Sequence, residues 1–583
     1  MEKKMINLKI DNIPVQVESG TTILDAAKKV GVKIPTLCYL REINAIGACR
    51  ICLVECKNRR PLLTACVYPC EEGMEIITHS ERINKARKTN LELILSAHVK
   101  NCLSCDKSMH CKLQQLAYEY GCDENHFKGA MSERIIDDSS YSLHRDSLKC
   151  ILCKRCKAMC YETQDVKVIN VNKRGFDSYL GCAFGQKIAD TACVGCGQCT
   201  LVCPTGALSE KNDIDKVITA LNDPELTCIV APAPSVRVGI AEEFGEKVGT
   251  NAEGRLVTSL KMLGFNKVFD IDFAADLTIM EEAHELIERI KNKGILPMMT
   301  SCSPGWVNYL TAYYPELIPN LSSAKSPQGM FGSTIKTYWA EKNKIDPNKI
   351  FVVTIMPCTA KKTEIHRKRD THEGIMDVDA VLTVRELGRL LKRQGIKFNE
   401  LNDSKFDDPL GESTGAAVIF GVTGGVMEAA LRTAADTLSG KSLKKIDYKK
   451  VRGTKGIKEA AVEVDGVKLN VCVASGLKNA HEVMEQVKNG NKKNWSFIEI
   501  MACPGGCVNG GGMPLHDLSD VSFETRAKLR AKSIYKEDEK KHIRKSHENP
   551  AIKSLYEEYF EKPGSHKAHE YLHNHSYDKR KFI

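Results

Sequence analysis

No run of apolar residues in this 583-residue chain is long enough to span a bilayer. The first twenty residues, Met1 to Gly20, have no apolar h-region and no small-residue cleavage site. They read instead as two alternating strands, Ile6 to Ile10 and Val15 to Val17. A cytoplasmic protein that does not meet a membrane is therefore expected. Also missing is any aromatic-rich basic motif of the kind that stacks RNA bases. The formal charge of +10, from 84 Lys and Arg against 74 Asp and Glu, does not restore a nucleic-acid reading. It counts every cysteine as neutral, whereas a metal-bound thiolate carries its charge. A Cys-ligated cluster with an Fe–S core of formal charge +2 nets roughly −2, so five or six clusters would cancel roughly ten units.

What the chain does have is cysteine, 25 of them. In a reducing compartment such clustered cysteines mean metal rather than disulfides. The length exceeds what one core can hold, so several domains are expected. Residues 1–80 read as a small β-rich module with Cys38, Cys49, Cys52 and Cys66. Two thiolate pairs from separate loops suit a 2Fe–2S cluster, with two ligands per iron. Cys56 and Cys70 read as small buried thiols. A helical stretch from Ser80 to Val99 then leads into His98, Cys102, Cys105 and Cys111, in a module spanning 81–126. One imidazole and three thiolates complete a four-ligand site. Tetrahedral zinc and a His-ligated 4Fe–4S cluster both fit it, and the iron–sulfur neighbours on either side favour the cluster.

The strongest signal lies in 140–212. Cys150, Cys153, Cys156 and Cys160 repeat the spacing of Cys193, Cys196, Cys199 and Cys203, which Pro204 follows. This doubled run is the two-cluster bacterial ferredoxin pattern, in which the fourth cysteine crosses to the other cluster. Cys203 should therefore join Cys150, Cys153 and Cys156, and Cys160 should join Cys193, Cys196 and Cys199. Tyr161 stands where the first run would carry proline, and Cys182 between the runs reads as structural.

From about Thr227 the texture becomes α/β. Cys228–Ala231, Phe351–Ile355 and Ala417–Phe420 read as buried parallel strands, with helical patterns such as Leu277 to Lys291 between them. Gly421 to Gly425 opens a helix but lacks the P-loop lysine and the full dinucleotide fingerprint, which suggests close approach to some other ligand. The tail, with His566, His569, His573 and His575, reads as a charged segment with surface histidines; Ser554 to Lys562 reads as an amphipathic helix packed on the body.

Three segments carry the chemistry downstream: Thr300-Ser301-Cys302-Ser303-Pro304-Gly305-Trp306, Met356-Pro357-Cys358-Thr359-Ala360-Lys361-Lys362-Thr363-Glu364, and Glu499 through Gly512 with Cys503 and Cys507. With these, nearly the whole chain resembles the FeFe (iron-only) hydrogenases, in the large clostridial form with four accessory clusters. The resemblance implies a multidomain fold: a β-grasp 2Fe–2S module, a small 4Fe–4S module with one histidine and three cysteine ligands, a two-cluster ferredoxin-like module, a large α/β catalytic domain over 225–535, and a helical segment over 536–583. It implies reversible reduction of protons to H2 with electrons from ferredoxin or flavodoxin. The cofactors would be one 2Fe–2S cluster, three accessory 4Fe–4S clusters and an H-cluster, a 4Fe–4S cube joined to a diiron unit with CO, cyanide and azadithiolate that maturation enzymes build. Carried over by position, Cys358, Cys503 and Cys507 would ligate the cube, and Cys507 would also bridge to the diiron unit. Lys361 would bond a cyanide, and Pro234, Ser235, Gln328, Met356, Phe420 and Met501 would line the pocket. Protons would travel by Arg289, Glu285, Ser322, Glu282 and Cys302.

One position departs. Where the family has two adjacent cysteines, a proton donor followed by a cube ligand, this chain has Cys302-Ser303. Cys302 shifts to the cube, or Ser303 ligates through oxygen, or the fourth iron is weakly held. The rival reading for the whole protein is a hydrogen or redox sensor, or an impaired enzyme. An assembly factor of the Narf-like kind shares only the C-terminal domain. The iron–sulfur subunit of NADH dehydrogenase shares only the N-terminal modules.

Overall fold

Alternating apolar side chains make the first strand pair, Met5–Ile10 and Ile13–Glu18, antiparallel in register Met5 to Glu18. They join Glu75–Ile77, Leu53–Cys56 and Leu63–Thr64 in one five-stranded sheet, against which the Thr22-capped helix Ile23–Lys29 packs. The computed structural model describes every residue except 1–3, 42, 129, 368–373, 444–445, 465–466, 517–520, 575–576 and 578–583. The molecule is multidomain α/β, with ferredoxin-like modules preceding a larger domain.

Helix Glu81–Ser96 begins at Ser80, whose side chain accepts from the Ile83 amide, and delivers His98 just beyond its end. The next module is loop-rich and held by its neighbours: the Val99 amide donates to Leu148 O (3.1 Å) and the Lys112 amide to Pro204 O (3.2 Å). Asn44 ties the first module to the third, donating to Cys38 O at 2.7 Å and to Cys153 O at 3.0 Å.

The larger domain has two four-stranded sheets. In one, Lys267–Val268, Thr227–Pro232, Ile350–Met356 and Ala380–Thr383 are all parallel. In the other, Met298–Met299, Trp495–Met501 and Val467–Ser475 are parallel, and Ile457–Val464 closes the edge antiparallel. Strands Thr227–Pro232, Ile350–Met356, Ala380–Thr383 and Trp495–Met501 are buried almost throughout rather than alternating, as in sheets covered on both faces, whereas the edge strand Ile457–Val464 is partly exposed. Helix Ile271–Lys291 begins beside a buried charge cluster. Arg237 is 1% exposed and meets Asp270 at 3.0 Å, Asp272 at 2.9 Å, Glu537 at 2.6 Å and also Glu253.

Two expectations fail. Ala417–Phe420 is not a strand: Gly415–Val418 is a helical turn and Ile419–Gly421 a 3-10 turn, all buried. A short apolar run is equally good as a buried helix, and here helices Ile271–Lys291, Gly425–Ser439 and Phe523–Lys540 surround it. The tail histidines are not all at the surface. His573 is 3% exposed, with Nε2 3.0 Å from Glu281 Oε2; His575 lies outside the described residues. The amphipathic segment does pack as helical turns, Pro550–Leu555 and Tyr556–Phe560.

Candidate active site and relay cavities

Four thiols of the first module form a hydrogen-bonded chain in the order Cys49, Cys38, Cys66, Cys52. Cys56 and Cys70 are buried beside them. In the second module Cys102 is exposed, and Cys105 and Cys111 are half-buried. The His98 Nδ1 is buried with no hydrogen-bond partner among the described residues. Burial, and then the Lys149 ammonium, push its pKa down to about 4, so the ring is neutral, the form that binds metal.

All eight cysteines of the doubled run line one apolar cavity of about 950 Å³, with Cys182 at its wall. Cys203 lies with Cys150, Cys153 and Cys156, and Cys160 lies with Cys196 and Cys199, as their mutual electrostatic effects require. The Leu152 amide donates to Cys150 Sγ at 3.4 Å. Burial raises the thiols of Cys150, Cys153, Cys156, Cys160, Cys196 and Cys199. A cationic metal core that takes them as thiolates relieves that cost.

A second cavity, of about 810 Å³, opens at the C-terminal ends of four parallel strands from both sheets. Pro234 and Ser235 follow strand Thr227–Pro232, and Cys302 and Ser303 follow Met298–Met299. Pro357 and Cys358 follow Ile350–Met356, and Cys503 and Cys507 follow Trp495–Met501. Such strand ends, where loops diverge, are where α/β sheets hold ligands. Gln328, Met356, Lys361, Phe420 and Met501 complete the lining. Cys196 lines both cavities. The wall between them is close-packed at two glycines: a Cβ on Gly197 would collide with Thr359 Oγ1, and one on Gly511 would collide with Cys196 O.

Lys361 is 8% exposed. Its Nζ reaches Ser326 Oγ at 2.7 Å and Glu364 Oε2 at 2.8 Å. Gln328 donates to the same carboxylate at 3.0 Å and accepts from Thr354 Oγ1 at 2.9 Å. Glu499 accepts from the Gly424 and Met427 amides at 2.6 and 2.7 Å, which fixes the glycine-rich turn beside the cavity. Gly506, at φ +96°, has no room for a side chain, because a Cβ would stand 2.5 Å from the Thr423 amide. The three thiols, the buried ammonium and this backbone cradle suit a bulky, anionic, thiolate-bound cofactor.

Cys302 and Ser303 diverge. Cys302 packs, as Cys507 does, against the apolar cluster that contains Ala275, Ile279 and Phe420; burial and then the neighbouring Glu282 hold its thiol well above the usual range. Ser303 turns toward Ala502, whose amide donates to its Oγ at 3.3 Å. Glu282 is fully buried. It takes a long bond from the Ser301 amide (3.4 Å), and its Oε2 has no partner among the described residues. Burial raises its pKa to about 8. Nearer the surface, Ser322 donates to Glu285 Oε2 at 2.7 Å, and Arg289 donates to Glu285 Oε1 at 2.6 Å.

Sequence reasoning missed Ser326, Glu364, Glu499, Ser323 and His573. Glu364 was findable, three residues after Lys361 on one helix face; the others reach their partners over long sequence separations.

The family model described as iron only hydrogenase large subunit, C-terminal domain, matches residues 226–511. Models for the iron hydrogenase small subunit, a 2Fe-2S binding domain, the NADH-ubiquinone oxidoreductase-G iron–sulfur region and a 4Fe-4S dicluster domain match 524–580, 3–81, 87–126 and 149–207. NADP-reducing hydrogenase subunit HndD of Solidesulfovibrio fructosivorans is 45% identical over 99% of this chain and all of its own. Iron hydrogenase 1 of Clostridium pasteurianum is 44% identical over 97% of this chain and 98% of its own. A solved structure of HydA1 from Chlamydomonas reinhardtii superposes with a TM-score of 0.56 at 39% identity, covering 63% of this chain and 99% of that one.

Proposed function

This chain belongs to the iron-only (FeFe) hydrogenases with accessory iron–sulfur domains, and on that premise we propose that it interconverts protons and H2 with electrons relayed from a soluble carrier. The observation that carries the reading is the shared wall: Cys196 borders both the eight-cysteine cavity and the cavity that gathers Cys302, Cys358, Cys503, Cys507 and Lys361. A relay and a reaction chamber meet there.

An H-cluster, the family's cofactor built by maturation enzymes, would supply the iron chemistry that combines protons and electrons. The chain's own residues do the rest. Cys358, Cys503 and Cys507 would hold its cube. Lys361 neutralises an anionic ligand while Ser326 and Glu364 aim its ammonium. The apolar lining excludes bulk water. Cys302, kept protonated by burial, serves as the last proton donor, fed by Glu282 from Glu285, Ser322 and Arg289. On this reading Ser303, whose Oγ accepts from the Ala502 amide, would hold the fourth cube position, and the thiol role stays with Cys302.

Accessory sites number four: one 2Fe–2S and three 4Fe–4S. Electrons from ferredoxin or flavodoxin would enter near exposed Cys102 or through the first module. A second donor has support, since one relative is by name a subunit of an NADP-reducing hydrogenase; a pyridine-nucleotide-oxidising partner would then replace the carrier. Among the described residues no helix is long and apolar enough to cross a membrane, which suits a partner met in solution.

The test is infrared spectroscopy on anaerobically matured protein, paired with H2 evolution from reduced viologen, ferredoxin or NADPH. Metal-bound CO and cyanide bands with turnover are expected. Bands without turnover would favour a sensor. Their absence from protein with intact accessory clusters, made by maturases that load a relative, would overturn the enzyme reading.

A further inference from the structure

Helix Ile271–Lys291 carries two neighbouring carboxylates with different fates. Glu285 faces Ser322 and Arg289. Glu281, fully buried, faces the late part of the chain: Tyr556 donates its hydroxyl to Oε1, the Gly564 amide donates to Oε2 at 2.9 Å, and His573 Nε2 lies 3.0 Å from Oε2. The other nitrogen of His573, Nδ1, lies 2.8 Å from Ser323 Oγ. Ser323 Oγ in turn lies 3.3 Å from Glu285 Oε2, and its amide donates to that oxygen at 3.1 Å. The backbone holds this register: the Asn574 amide donates to Ser323 O (2.7 Å) and the Lys325 amide to Leu572 O (2.8 Å). A continuous line therefore runs Glu281, His573, Ser323, Glu285.

The line has a single ambiguous hydrogen. The Ser323 hydroxyl has one proton and two possible acceptors, His573 Nδ1 and Glu285 Oε2. A charged imidazole donates from both nitrogens, so Nδ1–H points at Ser323 Oγ and the hydroxyl hydrogen must go to Glu285. A neutral imidazole keeps Nε2–H toward Glu281 and offers a lone pair at Nδ1, so it competes for that hydrogen. When it wins, Glu285 loses a donor and becomes a better acceptor for an incoming proton. The one bond made or broken is the ring's Nδ1–H, as the imidazole gains or loses a proton; the hydroxyl only rotates.

We propose that His573 is a positioning residue for proton delivery, setting through Ser323 how many donors Glu285 receives. The proposal rests on the reading of Glu285 as part of the proton path. The groups around the ring fit the role. Glu281 faces it from the long helix, and Tyr556 is tied to that carboxylate. His569, on its own helix, stands with its ring centroid 4.2 Å away. His284 lies against Gly564, and Arg289 closes the far side of Glu285.

The experiment is H2 evolution by the holoenzyme from reduced viologen across the neutral range, for the native protein, H573Q, S323A, the double variant and E285Q. Melting temperature and the infrared CO and cyanide bands are recorded for each. H573Q and S323A should keep their bands and stability but shift the pH profile of the native rate by about 0.5–1 pH unit. The double variant should move it no further than either single. Unchanged profiles in both singles, or full additivity, would overturn the proposal. S323A, a much smaller change, decides the matter if H573Q folds poorly. E285Q turning over at the native rate would overturn the path reading itself and leave the His573–Ser323 pair as a structural tie.

Discussion

Lys361 and Glu364 form an ion pair 2.8 Å long inside the protein, with both side chains at most one-tenth exposed. The pair sits on one face of helix Ala360–Glu364, just after Cys358. Replacing Lys361 with methionine would leave Glu364 buried without this cation, while Ser326 and Gln328 still donate to it. Breaking such a pair costs about 3–5 kcal/mol. K361M should therefore melt earlier and also show weak or no CO and cyanide bands, whereas E364Q, which keeps the cation, should retain part of both. Calorimetry and infrared spectra on the same samples check this.

Ser303→Cys should raise H2 evolution, because a thiolate is a better iron ligand than a hydroxyl, and should change the cube's electron paramagnetic resonance signal and reduction potential. An equal or lower rate would count against the idea that serine limits the native protein.

Burial raises Glu282 from the ordinary carboxyl range to about 8. Its folded form therefore holds a proton at pH 7 that the unfolded chain releases. The folded state accordingly loses stability as pH rises from the unfolded carboxyl pKa, about 4.3, toward 8, on the order of a few kcal/mol in total. E282Q should remove that slope, so its melting temperature should gain on the native protein's between pH 5 and 8. An infrared carbonyl band of protonated carboxyl should be present in native protein at pH 7 and absent from E282Q.

Gly197 occupies the left-handed region at φ +67°, and its Cα faces Thr359 too closely for a Cβ. Gly197→Ala should cost about 2–4 kcal/mol from strain and collision together. It should also slow electron delivery from a protein donor more than direct reduction by a small viologen. Stopped-flow reduction with both donors separates the two.

Much of this site was legible in advance because metal ligation forces local spacing. Within each cysteine run and each downstream signature the key residues lie a few positions apart, so most partners are neighbours in sequence, although Cys160 and Cys203 each cross to the other run. Cys358, Cys503 and Cys507 converge because each follows a strand whose C-terminal end points the same way. Ala417–Phe420 was misread because four apolar residues carry no period, and only the helices packed around them choose the turn over the strand. His573 was misread for a different reason. A histidine in a charged tail looks solvated until Glu281, 292 positions earlier, is brought to it. Ser326 and Glu499 likewise act on groups that no local pattern connects to them.

The glycine contacts around Cys196 have a further consequence. With Gly197 against Thr359 and Gly511 against Cys196 O, the relay and the chamber share one rigid wall with no room for a hinge or a solvent layer at these glycines. On the proposed reading, the last electron hop crosses a close-packed span of fixed length. Its rate should then vary with driving force and reorganisation energy rather than with separation, and control over the current would be exerted upstream of that wall or through the supply of protons.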